Sequence, residues 1–173
     1  MNAIVPNPNE LFLLPGQIWF GGGDIRVRTI LGSCVAITFW HPERRIGGMC
    51  HYMLAEPRCG TDASDARYGS EAVAQLVEAM REAGTEPCEY EAKLFGGGRM
   101  FASASGRDGE HALQRRNIEA AHALVQACGA QVRGEHLGGD GHRQLLFDVA
   151  DGDVWLRHWP LLGGFTRLRR SRD

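Results

Sequence analysis

The sequence of 173 residues has no apolar run long enough to span a membrane, and its first ten residues contain neither a basic segment nor an apolar one. A membrane helix needs about 20 consecutive apolar residues, and a secretory signal needs a charged start before an apolar stretch. We therefore expect a cytoplasmic protein that is not inserted in a membrane. Five cysteines without framework spacing agree with a reducing compartment, where thiols stay free.

The sequence also lacks a large excess of charge. Its formal net charge is −2, which provides no broad basic field, so we expect no nucleic-acid partner. The four arginines within residues 167–172 are interpreted as a solvated tail, with contact to an acidic protein or membrane surface as the alternative. A content of 43% hydrophobic and 23% charged residues is typical of one globular domain, here 1–173, with flexible tails at about 1–12 and 166–173.

Nucleotide-binding and metal-binding motifs are missing as well. The glycine clusters at residues 21–23 and 96–98 lack the Gly-Lys-Ser/Thr ending of a phosphate loop, so they are interpreted as turns. The second cluster has an alternative role, because glycine lets a substrate backbone approach closely. We predict no cofactor-binding residues and no bound cofactor.

A zinc site built from His41, Cys50, His51 and Cys59 is the alternative for a binding module. No Cys-x-x-Cys pair is present to supply half of a tetrahedral site. Cys50 and His51 are adjacent, and neighbouring residues of a strand point to opposite faces. We therefore predict no metal.

The most informative residue that is present is Cys34, which follows Gly32-Ser33 after the β-favouring run 27–31. Glycine permits a tight turn, so Cys34 is expected at a turn. Residues 35–40 and 46–53 predict two strands joined by a polar turn, and antiparallel pairing would bring His51 back toward Cys34. A cysteine beside a histidine suggests a thiolate–imidazole pair for acyl transfer.

The chemistry requires that the thiol be activated. A cysteine with a pKa of about 8.5 is only a few per cent thiolate at neutral pH. His51 is the nearest candidate to lower that pKa, the backbone amides of Gly32 to Cys34 are candidates for an oxyanion site, and Thr29 is a candidate to orient the imidazole or the substrate amide. Burial of Cys34 as a small hydrophobe is the structural alternative, and it is favoured for the other four cysteines.

The remaining pattern predicts an α+β fold, in which helices pack on a largely antiparallel or mixed sheet as a layered sandwich. Residues 70–80 show helical spacing with Ser70 as N-cap, and a second helix runs from about Glu110 or Arg115 to Cys128 and stops at Gly129. Asp151-Gly152 marks a turn. Further strands are predicted at 17–20, 89–95, 131–137, 144–149 and 154–158.

Several motifs occur in a fixed order along the chain. They begin with Leu-Gly-Ser-Cys ending at Cys34 and Gly-Gly-x-x-His ending at His51. Further motifs lie in residues 92–100, in Arg116-Asn117 as the opening of a helix, and in Gly138-Gly139 followed by Arg143 and a strand ending at Phe147. In these motifs, which extend over roughly residues 17–156, the chain resembles the chemoreceptor glutamine deamidases of bacterial chemotaxis, the CheD family.

The resemblance implies a Cys-His-Thr catalytic set, which corresponds here to Cys34, His51 and Thr29. It implies conversion of glutamine side chains of methyl-accepting chemotaxis receptors to glutamate with release of ammonia, without metal or organic cofactor. The receptor cytoplasmic domains are the expected substrate, and a CheC-type phosphatase is a possible partner. An adaptor that mainly binds this phosphatase is the alternative function. Methylesterase activity, target glutamines and oligomeric state stay open.

Two positions depart from the family pattern. The segment from Thr29 to Cys34 is one residue shorter than the Thr-x-Gly-x-Gly-Ser-Cys form, so Thr29 aligns less closely than the other two residues. After Leu54 the chain continues as Ala55-Glu56-Pro57, where relatives have proline at once. Glu56 is thus expected in a loop near the site, as a solvated charge or as an influence on substrate preference.

We expect a shallow site that accepts a protein surface.

Overall fold

The computed structural model describes residues 8–57, 65–100, 108–161 and 166–167. These ranges contain ten strands, two α-helices and one short 3-10 helix. The strands are β1 (Glu10–Phe12), β2 (Ile18–Gly22), β3 (Arg26–Leu31), β4 (Val35–His41), β5 (Ile46–Tyr52), β6 (Glu91–Gly96), β7 (Gln131–Leu137), β8 (His142–Asp148), β9 (Val154–Trp159) and β10 (Thr166–Arg167). The helices are α1 (Gly69–Glu82), the 3-10 turn Pro87–Glu89, and α2 (Asp108–Cys128).

The strands form two five-stranded sheets. The first sheet has the order β1-β3-β8-β9-β10, and the second has the order β2-β5-β4-β6-β7. The pairs β1/β3 and β6/β7 are parallel, and the other pairs are antiparallel. The predicted α+β class is confirmed, with mixed sheets. None of the helices within the described ranges is long and apolar enough to cross a bilayer.

The elements form three layers, with the second sheet in the middle. Both helices contact strands of the second sheet. One hydrophobic cluster lies between that sheet and the helices and includes Ile37, Tyr52 and Leu76. A second cluster lies between the two sheets and includes Leu31 and Ala36. Because successive strand residues point to opposite faces, β4 contributes to both clusters and is buried on both sides.

Helix α1 has the predicted apolar face, but its predicted N-cap is wrong. Ser70 lies inside the first turn, and its buried hydroxyl has no hydrogen-bond partner among the described residues. The capping position is Tyr68, whose side chain makes no capping bond. The helix begins instead where the Gly69 N–H donates to the Leu54 carbonyl at 2.7 Å. A tertiary contact, which the local sequence does not show, sets this boundary.

Helix α2 begins earlier than either predicted start, at Asp108, and ends at Cys128 as predicted. Arg116-Asn117 therefore lies in the middle of the helix and does not open it, because the helical turns extend two turns further toward the N-terminus. Gly129 follows the helix with φ +84°, the left-handed conformation that glycine adopts at helix ends.

The predicted tails and loops are partly corrected. Glu10–Phe12, assigned to a tail, pairs with β3 in the first sheet, and Thr166–Arg167 pairs with β9. Short edge strands of this kind carry little local pattern, since pairing with a longer strand stabilises them. Residues 58–64 and most of the basic tail lie outside the described residues. The turn at Asp151-Gly152 is confirmed, with Gly152 at φ +76°.

The glycines at residues 96–98 lie against the turn that carries Cys34. The Gly97 N–H donates to the Cys34 carbonyl, and the Gly98 N–H donates to the Gly32 carbonyl, both at 2.9 Å. A Cβ built on Gly96 would lie 2.1 Å from the Cys34 carbonyl oxygen. The backbone of residues 96–98 therefore packs directly against the backbone of the Cys34 turn.

Gly96→Ala is predicted to destabilise the protein by about 3 kcal/mol or more, because it adds a backbone clash to the cost of a positive φ. Gly84→Ala is the matched control, since Gly84 has φ +72° but open space around its Cα, and we expect it to cost about 1 kcal/mol. Chemical denaturation of both variants measures the two values. Equal losses would contradict the close approach.

Candidate active site

Cys34 lies in the turn that carries the chain from the first sheet to the second. Strand β3 ends at Leu31, and β4 begins at Val35 in the other sheet. Cys34 is half-buried, and its side chain packs against the cluster between the sheets. The predicted position at a turn is therefore confirmed, and the thiol is oriented toward the inter-sheet space.

His51 lies next to Cys34 on the neighbouring strand. The antiparallel register of β4 and β5 places His51 opposite Ala36, two residues after Cys34. Since β4 begins directly after Cys34, this register brings His51 close to the Cys34 turn, and both side chains face the space between the sheets. The predicted return of His51 toward Cys34 is confirmed by this register.

Thr29 in β3 reaches His51 across the space between the sheets. Its Oγ1 donates to the Leu13 carbonyl at 2.7 Å and lies 2.8 Å from His51 Nδ1. A hydroxyl has one proton, and the Leu13 carbonyl can only accept, so Thr29 accepts from a protonated Nδ1. The neutral imidazole then carries its lone pair on Nε2, which is buried and has no hydrogen-bond partner among the described residues.

Burial favours the neutral forms of both groups. His51 is 1% exposed, and desolvation lowers its pKa to about 4. Desolvation also raises the pKa of the Cys34 thiol. The resting pair is therefore a thiol and a neutral imidazole, and not the thiolate with a cationic partner that residue type alone suggested. An unprotonated Nε2 is suited to accept the thiol proton during attack.

The turn residues Gly32 and Ser33 are fixed by β6 and the glycines that follow it. The Gly32 carbonyl points toward the Gly98 N–H, and in a trans peptide the Ser33 N–H then points the opposite way. Gly32 has no positive φ. A Cβ there would lie 2.7 Å from Met100 Sδ, so packing by Met100 explains the glycine better than a tight turn does.

The other candidates take structural positions. Cys50 points to the helix layer, where burial raises the pKa of its thiol to about 12 and leaves it inert. His51 points the other way, as expected of adjacent strand residues. His41 lies at the far end of β4, and Cys59 lies outside the described residues. Within the described ranges no three His, Cys, Asp or Glu side chains converge. Glu56 is an exposed loop residue.

Sequence reasoning assigned no place near the site to three groups that lie there. Leu13 contributes only a carbonyl, which no side-chain pattern reveals. Gln114 is 5% exposed and Asn117 is fully buried, and both donate to backbone carbonyls beside the site. Their signal in the sequence is a pair of amides at i and i+3 on the buried face of an otherwise amphipathic helix.

A half-buried cysteine at a strand-connecting turn, a histidine with its free nitrogen on the same face, and a hydroxyl that orients the imidazole are typical of cysteine-dependent hydrolases. This is the class of protein that the arrangement indicates. Comparison with known proteins identifies the family within it.

The chain belongs to the CheD family. The family profile described as "CheD chemotactic sensory transduction" matches residues 53–158. A relative from Dechloromonas aromatica, named "Probable chemoreceptor glutamine deamidase CheD 3", is 46% identical over 90% of this chain and 91% of its own. One from Pseudomonas syringae pv. tomato, named "Probable chemoreceptor glutamine deamidase CheD", is 42% identical over 88% and 90%.

Among solved structures, the crystal structure of the Bacillus licheniformis hypothetical protein YfiH has a TM-score of 0.41 and 14% identity. The match covers 65% of this chain and 46% of that protein. These values are too low to assign a common fold.

Unfolding free energy is predicted to depend on pH through His51. The unfolded imidazole binds a proton below about pH 6.5, whereas the folded one stays neutral to about pH 4. The unfolded state thus holds more protons between these values, and stability falls as the pH falls, by up to about 1.4 kcal/mol per pH unit. Denaturant unfolding between pH 7 and pH 4.5 measures this slope.

The control for this pH dependence is His51→Gln, which removes the titrating group. We expect a shallower slope in the variant over the same range. Equal slopes for the variant and the wild type would contradict a neutral, buried His51.

Proposed function

We propose that this protein is a cysteine-dependent protein-glutamine deamidase that converts glutamine side chains of chemoreceptors to glutamate. The hydrogen bond between Thr29 and His51 carries the proposal, because it leaves Nε2 as a base on the face shared with Cys34. Membership of the CheD family and the printed names of the relatives support the choice of substrate.

In the proposed first half-reaction, His51 Nε2 takes the thiol proton while Cys34 Sγ attacks the carboxamide carbon. The negative charge develops on the amide oxygen, and we assign its stabilisation to the backbone N–H groups of the Cys34 turn, Ser33 above all. His51 then donates the proton to the leaving nitrogen, and ammonia departs. A thioester between Cys34 and the substrate remains.

In the proposed second half-reaction, neutral His51 takes a proton from water, and the hydroxide attacks the thioester carbon. The carbon–sulfur bond breaks, the thiol regains its proton from His51, and glutamate is released. The balance is one amide and one water converted to one acid and one ammonia. The side chains and water supply each step, so the proposal includes no metal and no cofactor.

The surroundings of the catalytic residues support a protein substrate. Two exposed apolar side chains follow site residues in the chain: Leu14 after Leu13, and Met53 two residues after His51. Their exposures are 52% and 40%. Exposed apolar groups beside a reactive centre are suited to contact a partner surface. Action on cytoplasmic receptor domains, a cytoplasmic location and binding of a CheC-type phosphatase are further parts of the proposal, taken from the family resemblance.

Cys34→Ala is predicted to abolish deamidation of a receptor cytoplasmic fragment, because it removes the nucleophile. Ammonia release and peptide mass spectrometry of the modified glutamine measure the reaction. Cys88→Ser is the matched control, since Cys88 is an exposed cysteine on the 3-10 turn and should leave the rate unchanged. Deamidation by Cys34→Ala at the wild-type rate, or turnover of free glutamine comparable to that of the receptor, would contradict the proposal.

Thr29→Val is predicted to lower kcat on the order of tenfold to a hundredfold with little change in KM, because the imidazole loses its orienting acceptor. Thr29→Ser keeps the hydroxyl and should retain most of the activity. Steady-state kinetics with the receptor fragment separate the two variants. Equal activity of Val and Ser at this position would show that the hydroxyl plays no part in orienting His51.

A further inference from the structure

Two buried amides on α2 reach the two chain segments that carry the catalytic pair. Gln114 Nε2 donates to the Gly98 carbonyl at 3.0 Å, and Asn117 Nδ2 donates to the Met53 carbonyl at 2.8 Å. The two side chains are 5% and 0% exposed. They are three residues apart and so lie on one face of the helix.

Each of the two acceptor carbonyls belongs to a residue that is close to a catalytic residue, either through one hydrogen bond or along the chain. Gly98 donates its own N–H to the Gly32 carbonyl at 2.9 Å, directly before Ser33 and Cys34. Met53 follows His51 by two residues, at the end of β5. Tyr52, between them, donates its hydroxyl to the Asn117 carbonyl at 2.6 Å. Helix α2 therefore holds the Cys34 segment with one side chain and the His51 segment with another.

The contact between Arg143 and Gly98 restricts the same segment from the other side. A Cβ built on Gly98 would lie 2.7 Å from Arg143 Nη1, so the guanidinium is packed against the glycine. Arg143 is 1% exposed, its Nε donates to His136 Nδ1 at 2.7 Å, and its Nη2 donates to the Gly138 carbonyl. Gly98 is thus confined between Gln114 and a buried, fixed side chain.

The amides stabilise this arrangement at a cost. Asn117 Oδ1 is buried and has no hydrogen-bond partner among the described residues. The amide cannot be turned round to relieve this, because the Met53 carbonyl requires a donor at its own position. A buried polar atom without a partner destabilises the folded protein, because it has lost its hydrogen bonds to water. A buried polar residue that carries such a cost and holds a chain segment next to the site is a candidate for a functional role.

We propose that Gln114 and Asn117 are positioning residues that fix the separation of the Cys34 turn from the His51 strand end. The inference rests on the proposed deamidase function, and it assigns the two residues no contact with substrate. Reactive groups must be held closely, since a displacement of about 1 Å can cost on the order of a hundredfold in rate. Helix α2 supplies this constraint from outside both sheets.

The test uses Gln114→Met and Asn117→Leu in the full chain. Both replacements are similar in size, lack the donor and favour helix at least as well as the native residue. Gln126→Met is the matched control, because Gln126 is an exposed glutamine on the same helix and receives the same chemical change. We expect kcat for receptor deamidation to fall tenfold to a hundredfold in each of the two variants, with KM within about twofold. The control should match the wild type.

A second readout needs no substrate. The rate of Cys34 alkylation by iodoacetamide, followed by mass spectrometry of its peptide, is measured from pH 5 to pH 10 in each variant and in His51→Gln. We expect the profiles of Gln114→Met and Asn117→Leu to move from the wild-type curve toward the His51→Gln curve. A failure of the proposed deamidase function would leave this measurement intact.

Unchanged kcat and unchanged alkylation profiles in folded variants would overturn the inference, even if the unfolding free energy falls, because that result describes a purely structural role. A rise in KM alone would also overturn it. If an apolar variant does not fold, Gln114→Asn or Asn117→Ser replaces it. These keep a donor on a shorter side chain that cannot reach its carbonyl, and the same expectations apply.

Discussion

The hydrogen bond from His51 Nδ1 to Thr29 Oγ1 joins the two sheets, and the proposed chemistry depends on it. Thr29 belongs to the first sheet and His51 to the second, so the bond forms only when the sheets are packed. The Leu13 carbonyl accepts the hydrogen bond of the Thr29 hydroxyl, so Oγ1 can only accept from Nδ1, and the lone pair of the neutral imidazole is on Nε2. The tautomer of His51 is therefore set when the two sheets pack together during folding. A partly packed core would leave the imidazole free to rotate and to protonate.

Desolvation sets the protonation states of His51 and Cys34, and so determines how the two residues can react. Desolvation lowers the pKa of His51 and raises that of the Cys34 thiol, so neither group is charged at rest near neutral pH. In the proposed mechanism, charge arises only when the proton moves during attack, and the backbone amides of the turn and the imidazolium then stabilise it. In the proposed mechanism the half-buried thiol stays uncharged until a substrate carbonyl occupies the turn. Such a mechanism requires a fixed turn, and the backbone of residues 96–98 holds it by hydrogen bonds to Gly32 and Cys34.

The local sequence pattern predicts the strands and turns around the site. It does not predict contacts between elements that are distant in the chain, because these depend on how the elements pack. The two strand-like runs of β4 and β5 and the polar turn between them predict the pairing that brings His51 back toward the cysteine, because register follows from strand length and turn position. The role of Thr29 depends on the packing of one sheet on another, which no spacing along the chain encodes. The start of α1 shows the same limit, since Ser70 has the right residue type for a cap but a backbone contact from Leu54 sets the boundary. The buried polar residues of α2 could be recognised in the sequence only because they interrupt the apolar face of the helix.

The most direct test of the account is the tautomer of His51, read from the side-chain nitrogen shifts of the 15N-labelled full chain by NMR at pH 7. The account predicts a neutral imidazole with the proton on Nδ1 and a lone pair on Nε2. Assignment of the signals uses the His51→Gln variant, in which they disappear. A proton on Nε2, or an imidazolium at this pH, would contradict the account, because His51 could not then accept the thiol proton of Cys34.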